Sequence, residues 1–296
     1  MGFLSNLFGG TGRTRLKKAN LATRWDLRGR TGQGSMSKVY QAYDKELGRT
    51  IALKLLDKEK TKRFELRFTV MGLKKPPEGE ICVGLKHENC LRTYEHGITT
   101  QGEPYLAMEW IDGLGLNYLV ETRNAQLKGN RINYLVQLAD AVQYLHDSKF
   151  LHRDLCPRNV MVDKEGVVKL IDFGLTIPYT TAFCQPGNRT GTSDYLPPEL
   201  IKRKQTDHRV DLFALGVTAY EVFAHALPWE RTASSEENLR RRLNLPPRNP
   251  MDLNPSMVDE AVKAILLKAI SKEPKERYNS AREFKEALLE LKAEKY

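Results

Sequence analysis

The chain has 296 residues, of which 41% are hydrophobic, 8% aromatic and 28% charged. That balance excludes a disordered or fibrous protein, and the four cysteines (Cys82, Cys90, Cys156 and Cys184) show neither a C-x-x-C pair nor a metal-ligand spacing. Lys and Arg number 47 against 37 Asp and Glu, a net charge of +10, which favours anionic partners such as nucleotides, nucleic acid, acidic peptides or lipid headgroups without choosing among them.

Residues 1–24 read as a basic N-terminal tail. Phe3, Leu4, Leu7 and Phe8 share one face of a helical turn, and Arg13, Arg15, Lys17, Lys18 and Arg24 follow with no acid in the segment. A solvated tail and a weak peripheral contact with anionic membrane both fit this pattern. Asn6 stands where a myristoylation signal wants Ser or Thr. No secretory signal is evident. The longest apolar stretch, Val210 to Leu227, is interrupted by Asp211 and Glu221 and reads as a buried helix rather than a membrane span. A cytoplasmic protein, membrane-peripheral through its tail if anywhere, is the expectation.

From Trp25 to about Trp110 short apolar or alternating runs bounded by Gly, Asp or Pro predict strands: Val39 to Tyr43, Ile51 to Leu55 and Tyr105 to Glu109. After Gly113 the period becomes helical. Ile132, Leu135, Val136, Ala139, Val142 and Leu145 keep to one face, as do Phe284, Ala287, Leu288 and Leu291. Ser280 followed by Glu283 suggests a capping box. The fold class expected is α+β, with a small antiparallel β-rich lobe at about 25–112 and a larger helical lobe at about 113–292. No internal repeat is visible.

Two clusters could carry chemistry. Gly32 and Gly34, between strand-like stretches, would let backbone N–H groups approach a polyphosphate, although a glycine pair in a hairpin is common. The second cluster is more specific. His152-Arg153-Asp154 and Asn159 precede Asp172-Phe173-Gly174, with a predicted hairpin between them turning at Asp163 to Gly166. Such a hairpin brings Asp154, Asn159 and Asp172 near one point, a general-base candidate beside oxygen ligands suited to Mg²⁺.

With these residues the chain resembles the eukaryotic-type protein kinase family over about 25–292, the Ser/Thr branch and its bacterial members most of all. Gly32, Gly34 and Val39 match the Gly-rich loop and Ile51-Ala52-Leu53-Lys54 the V-A-I-K strand. Asp154 and Asn159 match H-R-D-x-x-x-x-N, Asp172 matches D-F-G, and Leu196 to Glu199 resemble A-P-E, with Gly191-Thr192 before them. The resemblance implies a two-lobed fold that transfers the γ-phosphoryl group of ATP to Ser or Thr hydroxyls of a protein substrate, and to itself. Lys54 would hold the α and β oxygens and Asp154 would act as base. Asn159 and Asp172 would bind Mg²⁺, and the backbone of Glu109 and Ile111 would meet the adenine beyond Met108. Glu78 is the expected partner of Lys54, sharing a helical face with Ile81, Cys82 and Leu85, with Glu80 as the alternative. Pro76-Pro77 would start that helix. Arg277 would pair with Glu199.

There are departures. Cys156 stands where Ser/Thr kinases have a lysine, and Arg158 could supply that charge catalytically. Cys156 itself reads either as a space-filling residue or as a reactive thiol of lowered pKa. Arg153 would meet a phosphate on the segment Asp172 to Glu199, where Thr176, Thr180, Thr181 and Thr190 are candidates. Thr61 to Lys75 is an insertion without a readable role. A pseudokinase or scaffold remains the alternative function. A nucleic-acid binder using Arg240 to Arg242 and Lys202 to Lys204 is disfavoured, since no aromatic platform accompanies the charges.

Overall fold

The computed structural model describes residues 16–33, 37–187 and 189–291. The chain divides into two compact units, one ending at Asp112 and the other beginning at Gly113. The architecture is α+β, with the strands concentrated in the first unit and the long helices in the second.

The first unit is built on a six-stranded sheet: β1 (Lys17–Ala19), β2 (Trp25–Gln33), β3 (Ser37–Asp44), β4 (Arg49–Leu56), β5 (Thr93–Thr99) and β6 (Pro104–Glu109), in the order β1-β5-β6-β4-β3-β2. All neighbours are antiparallel except β1, which runs parallel to β5. β4 lies between β3 and β6 and is buried from Ile51 to Leu56, which is why it is an unbroken apolar run apart from Lys54. The register pairs Gly32 with Val39, Val39 with Lys54, and Lys54 with Leu106, one row across four strands. Trp25, Ile51, Leu53 and Tyr105 form the centre of the sheet core, with the Trp25 and Tyr105 rings edge-on at 4.9 Å.

Two helices follow β4. α1 (Lys58–Thr69) occupies much of the insertion that the sequence left unread. Asp57 caps it, accepting from Lys60 N at 2.9 Å, and Phe64 and Phe68, four apart, are buried edge-to-face at 5.4 Å. These signals were present among the many charges of the segment. α2 (Glu78–Gly84) begins directly after Pro77 and buries Ile81 and Cys82.

In the second unit, α3 (Leu116–Glu121) precedes α4 (Arg131–Asp147), whose buried face includes Ile132, Leu135, Ala139, Val142 and Leu145. α5 (Arg209–Ala224) is buried almost all round, as its composition requires. It packs against α7 (Glu260–Ala269) so closely that a Cβ on Gly216 would fall 2.6 Å from Ala269 Cβ. α6 (Ser235–Asn244) comes between these two helices in the sequence, and α8 (Ala281–Leu289) ends the series. Ser280 caps α8 through Glu283 N at 3.0 Å, while Glu283 returns to Asn279 N at 2.7 Å rather than to Ser280. A hairpin of β9 (Val160–Asp163) and β10 (Val168–Leu170) completes a small sheet with β7 (Gly113–Gly115), and β8 (Phe150–Leu151) pairs with β11 (Ile177–Pro178). No helix among the described residues is long and apolar enough to cross a membrane.

The expected tail at 1–24 requires correction. Residues 1–15, and with them the apolar face of Phe3 to Phe8, lie outside the described residues. From Lys17 the chain is part of the sheet, and its cations are committed. Lys17 Nζ reaches Glu46 at 2.7 Å and Glu95 at 2.8 Å. Arg24 is buried, bonded to Asp44 at 2.9 Å and to Glu95 at 2.5 Å, with its guanidinium 4.6 Å from the Trp25 ring centre. A basic run without acids pairs with acids supplied from β3, β5 and the turn after β3. Burial alone would raise the Asp44 and Glu95 carboxyls, but hydrogen bonds from Arg24 hold both below the usual carboxylate range. Their stabilisation is therefore present above the ordinary carboxylate pKa near 4 and lost as pH falls through the lowered values. Arg24→Ala is expected to cost about 3–5 kcal/mol, because Asp44 is left buried without its counter-ion, holding only the Trp25 indole and the Glu46 and Leu47 amides. Urea denaturation at pH 7 measures this, and the variant should show a weaker loss of stability on acidification than the parent.

Candidate active site

In the first unit the sheet register sets the geometry. Lys54 is buried in β4, and its Nζ donates to Glu78 Oε1 at 2.6 Å. Both side chains are under one-tenth exposed, so the pair is desolvated and strongly coupled. α2 presents Glu78 at its first position, while Glu80 is exposed. The choice between the two glutamates thus follows from the helix start at Pro77. Met108 is buried beside Ala52, its partner across β4 and β6. Glu109 N donates to Arg92 O at 2.9 Å. Ile111 is buried. Gly32 is paired opposite Val39; Gly34 lies outside the described residues.

In the second unit, β9 and β10 fold back with Val160 opposite Leu170, and Ile171 N extends the ladder by donating to Asn159 O at 2.9 Å. That bond brings Asn159 alongside the residue preceding Asp172. Asn159 Nδ2 donates to Asp154 O at 2.8 Å and to Asp154 Oδ2 at 3.1 Å. Asp154 Oδ1 accepts from both the amide and the hydroxyl of Thr192 at 2.8 Å. The half-buried Asp154 carboxylate is therefore clamped on both oxygens. Asp172 Oδ1 accepts from Gly174 N at 3.0 Å.

The loop carrying Asp154 is itself held from below. Asp211, at the start of α5 and fully buried, accepts from His152 N at 2.8 Å, from Arg153 N at 2.9 Å, and bonds His146 Nε2 at 2.9 Å. Burial opposes its charge, yet the His146 bond and the backbone donors hold its carboxyl below the usual range. The bonds of Thr192 and Asp211 join residues far apart along the chain, 38 positions for Thr192 with Asp154 and 59 for Asp211 with His152. Arg277 meets Glu199 with two bonds of 2.7 and 2.8 Å, and both residues are buried.

A model of the protein kinase domain matches residues 25–289. The chain belongs to that family. Among curated relatives, one named "Probable serine/threonine-protein kinase" from Streptomyces coelicolor is 31% identical over 276 residues, covering 90% of this chain and 39% of the relative. Serine/threonine-protein kinase PknB of Mycolicibacterium smegmatis is 30% identical over 287 residues, covering 92% of this chain and 43% of the relative. An Aurora kinase of Saccharomyces cerevisiae is 29% identical over 258 residues, covering 86% and 65%. The chain thus spans about two fifths of the length of the bacterial relatives.

Within this kinase domain several expectations change. Cys156 is buried, and burial pushes its thiol up to about 11, which favours the space-filling reading over a reactive thiol. Arg158, its hydrogen-bond neighbour, is exposed and sits at a cavity with Tyr195 and Glu221. Arg153 is buried, its Nη1 3.3 Å from Thr206 Oγ1. Arg242 is also buried, donating to Ser193 O at 2.6 Å and Leu196 O at 2.8 Å, and Arg241 meets Glu237 at 3.3 Å. The Arg240 to Arg242 run is therefore structural in part, while Arg240 itself is exposed. Gly191 has φ +123°, and a Cβ there would stand 2.6 Å from Arg153 O. Gly191→Ala is expected to displace the Thr192 donors from Asp154 and to lower turnover by more than tenfold, while thermal unfolding shows a loss of about 1–3 kcal/mol.

Proposed function

We propose that the chain is an ATP-dependent protein serine/threonine kinase that transfers the γ-phosphoryl group to Ser or Thr hydroxyls of proteins, its own activation segment included. The observation that carries this reading is the Asp154 carboxylate held by Asn159 and Thr192 beside the fold-back to Asp172. A carboxylate fixed on both oxygens is preorganised to orient a hydroxyl and take its proton. Lys54, kept extended by Glu78, would hold the α and β phosphate oxygens, with Gly32, Gly34 and Val39 covering the phosphates and the backbone of Glu109 and Ile111 meeting adenine.

The residues present fit a magnesium nucleotide. Asn159 spends its Nδ2 on Asp154, leaving Oδ1 without a partner among the described residues, and Asp172 adds a carboxylate. An amide oxygen with a carboxylate suits a hard divalent ion that shares its shell with phosphate oxygens and water. When bound, such an ion neutralises charge on the transferring phosphoryl group. The intact Lys54–Glu78 pair and the clamped Asp154 support an active enzyme over a scaffold.

Asp154→Ala should reduce radiolabel transfer from ATP to a generic protein by about 10²- to 10⁴-fold while nucleotide affinity changes little. Transfer that survives this substitution overturns the assignment. The activation segment offers Thr180 and Thr181 exposed, whereas Thr176 and Thr190 are buried. Phosphopeptide mapping after incubation with ATP and Mg²⁺ is expected to find phosphate on Thr180 or Thr181, and not on Thr176.

A further inference from the structure

The segment from Thr61 to Lys75 takes no part in the phosphoryl-transfer site, yet it is firmly built. Asp57 caps the start of α1, and Phe64 and Phe68 fix its inner face. Two nested hydrogen bonds close its far end. Leu73 N donates to Phe68 O at 2.9 Å and Gly72 N to Thr69 O at 3.0 Å, with Gly72 at φ +71°. The side chains displayed at this closed turn are apolar. Val70 is 81% exposed, more than any other large hydrophobic residue among those described, and Leu66 and Met71 are 54% and 46% exposed. Leu66 and Val70 stand four apart and so share one outward face.

The charges around that face are mostly of one sign. Lys62, Arg63, Arg67 and Lys74 are all exposed. Among the described residues no ion pair or hydrogen bond engages Lys62, Arg63 or Lys74, and Arg67 meets only the Phe64 ring, 5.9 Å from its centre. The acids of the helix lie away from Val70. Asp57 is spent on the cap and on Lys60. Glu65 is half-buried, with the Lys75 ammonium acting on it. Glu59 is in the first turn, about 16 Å from Val70 along the axis at 1.5 Å per residue.

We propose that α1 and the turn after it form a docking face for an anionic lipid bilayer. Leu66, Val70 and Met71 enter the boundary between headgroups and acyl chains, and the four cations meet the lipid charges. Apolar side chains ringed by Lys and Arg suit such an interface. The long cationic stems lie against the apolar region while their heads stay among the phosphates. A protein partner fits less well. Protein-binding faces are rich in aromatic residues and poor in lysine, whereas this one has two exposed lysines and keeps both its phenylalanines buried. The turn is already closed by its own hydrogen bonds, so docking has little left to order.

The test is co-sedimentation of the whole chain with vesicles of phosphatidylcholine, either alone or with about one third phosphatidylserine. Partition into the anionic vesicles should exceed that into neutral ones by about tenfold or more, and fall as salt screens the charges. The triple variant Lys62→Gln, Arg63→Gln, Lys74→Gln should lose about tenfold or more, since each cation near an anionic leaflet contributes about fivefold. The pair Val70→Ser and Met71→Ser should lose about fivefold or more. Both variants should unfold like the parent, because every substituted side chain is exposed. In Met71→Trp, lipids brominated near the headgroup should quench emission beyond the quenching seen in the parent. Binding that survives both the charge and the apolar variants belongs to another segment, residues 1–15 included, and overturns the proposal. Equal binding to neutral and anionic vesicles, or binding to neither, also overturns it. Dimerisation in sedimentation equilibrium that the Val70→Ser, Met71→Ser pair abolishes, without vesicle binding, assigns the face to a second copy instead.

Discussion

The loop that carries Asp154 depends on one buried carboxylate. Asp211 receives two consecutive backbone N–H groups, those of His152 and Arg153, together with an imidazole nitrogen of His146. Removing a carboxylate from water is costly, and only several charge-assisted hydrogen bonds offset it. Here those bonds come from the loop that must be immobile. They hold Arg153 at φ 70°, a left-handed conformation that a long side chain does not adopt unaided. The turn so enforced aims Asp154 at Thr192, and Gly191 lets the two segments touch. On the proposed reading of Asp154 as base, a carboxylate already oriented has no reorganisation left to undergo when a hydroxyl arrives.

The same logic recurs where the activation segment rejoins the helices. Arg277 satisfies its guanidinium with Glu199 and with the carbonyls of Ser271, Lys272 and Arg209, so one side chain ties four stretches of chain together. In the first unit the corresponding device is the Lys54–Glu78 pair, whose members come from a central strand and from the first turn of a helix. Each of these charges is tolerable inside only because its partner is there. The functional groups and the stability of their surroundings are thus coupled.

Net charge was a poor guide to partners for a related reason. The chain carries an excess of +10, yet several of its arginines are spent internally. Arg24 crosslinks the edge of the sheet and Arg242 fastens the Ser193 to Leu196 turn. What a partner meets is the remainder after such pairing.

Spacing and period alone made much of the molecule legible. The β9–β10 fold-back, the apolar face of α4, the start of α2 at Pro77 and hence the partner of Lys54 all follow from contacts within about 25 residues, where local geometry leaves few choices. The short β1, the commitment of Lys17 and Arg24 and the burial of Arg242 did not. Those depend on carboxylates and carbonyls dozens of residues away, as in Arg24 with Glu95 across 71 positions or Arg242 with Ser193 across 49. Residue type decides what a side chain can bond, but which bonds a charge finally makes, and so whether it is structure or surface, is decided when the chain folds and brings its distant partners together.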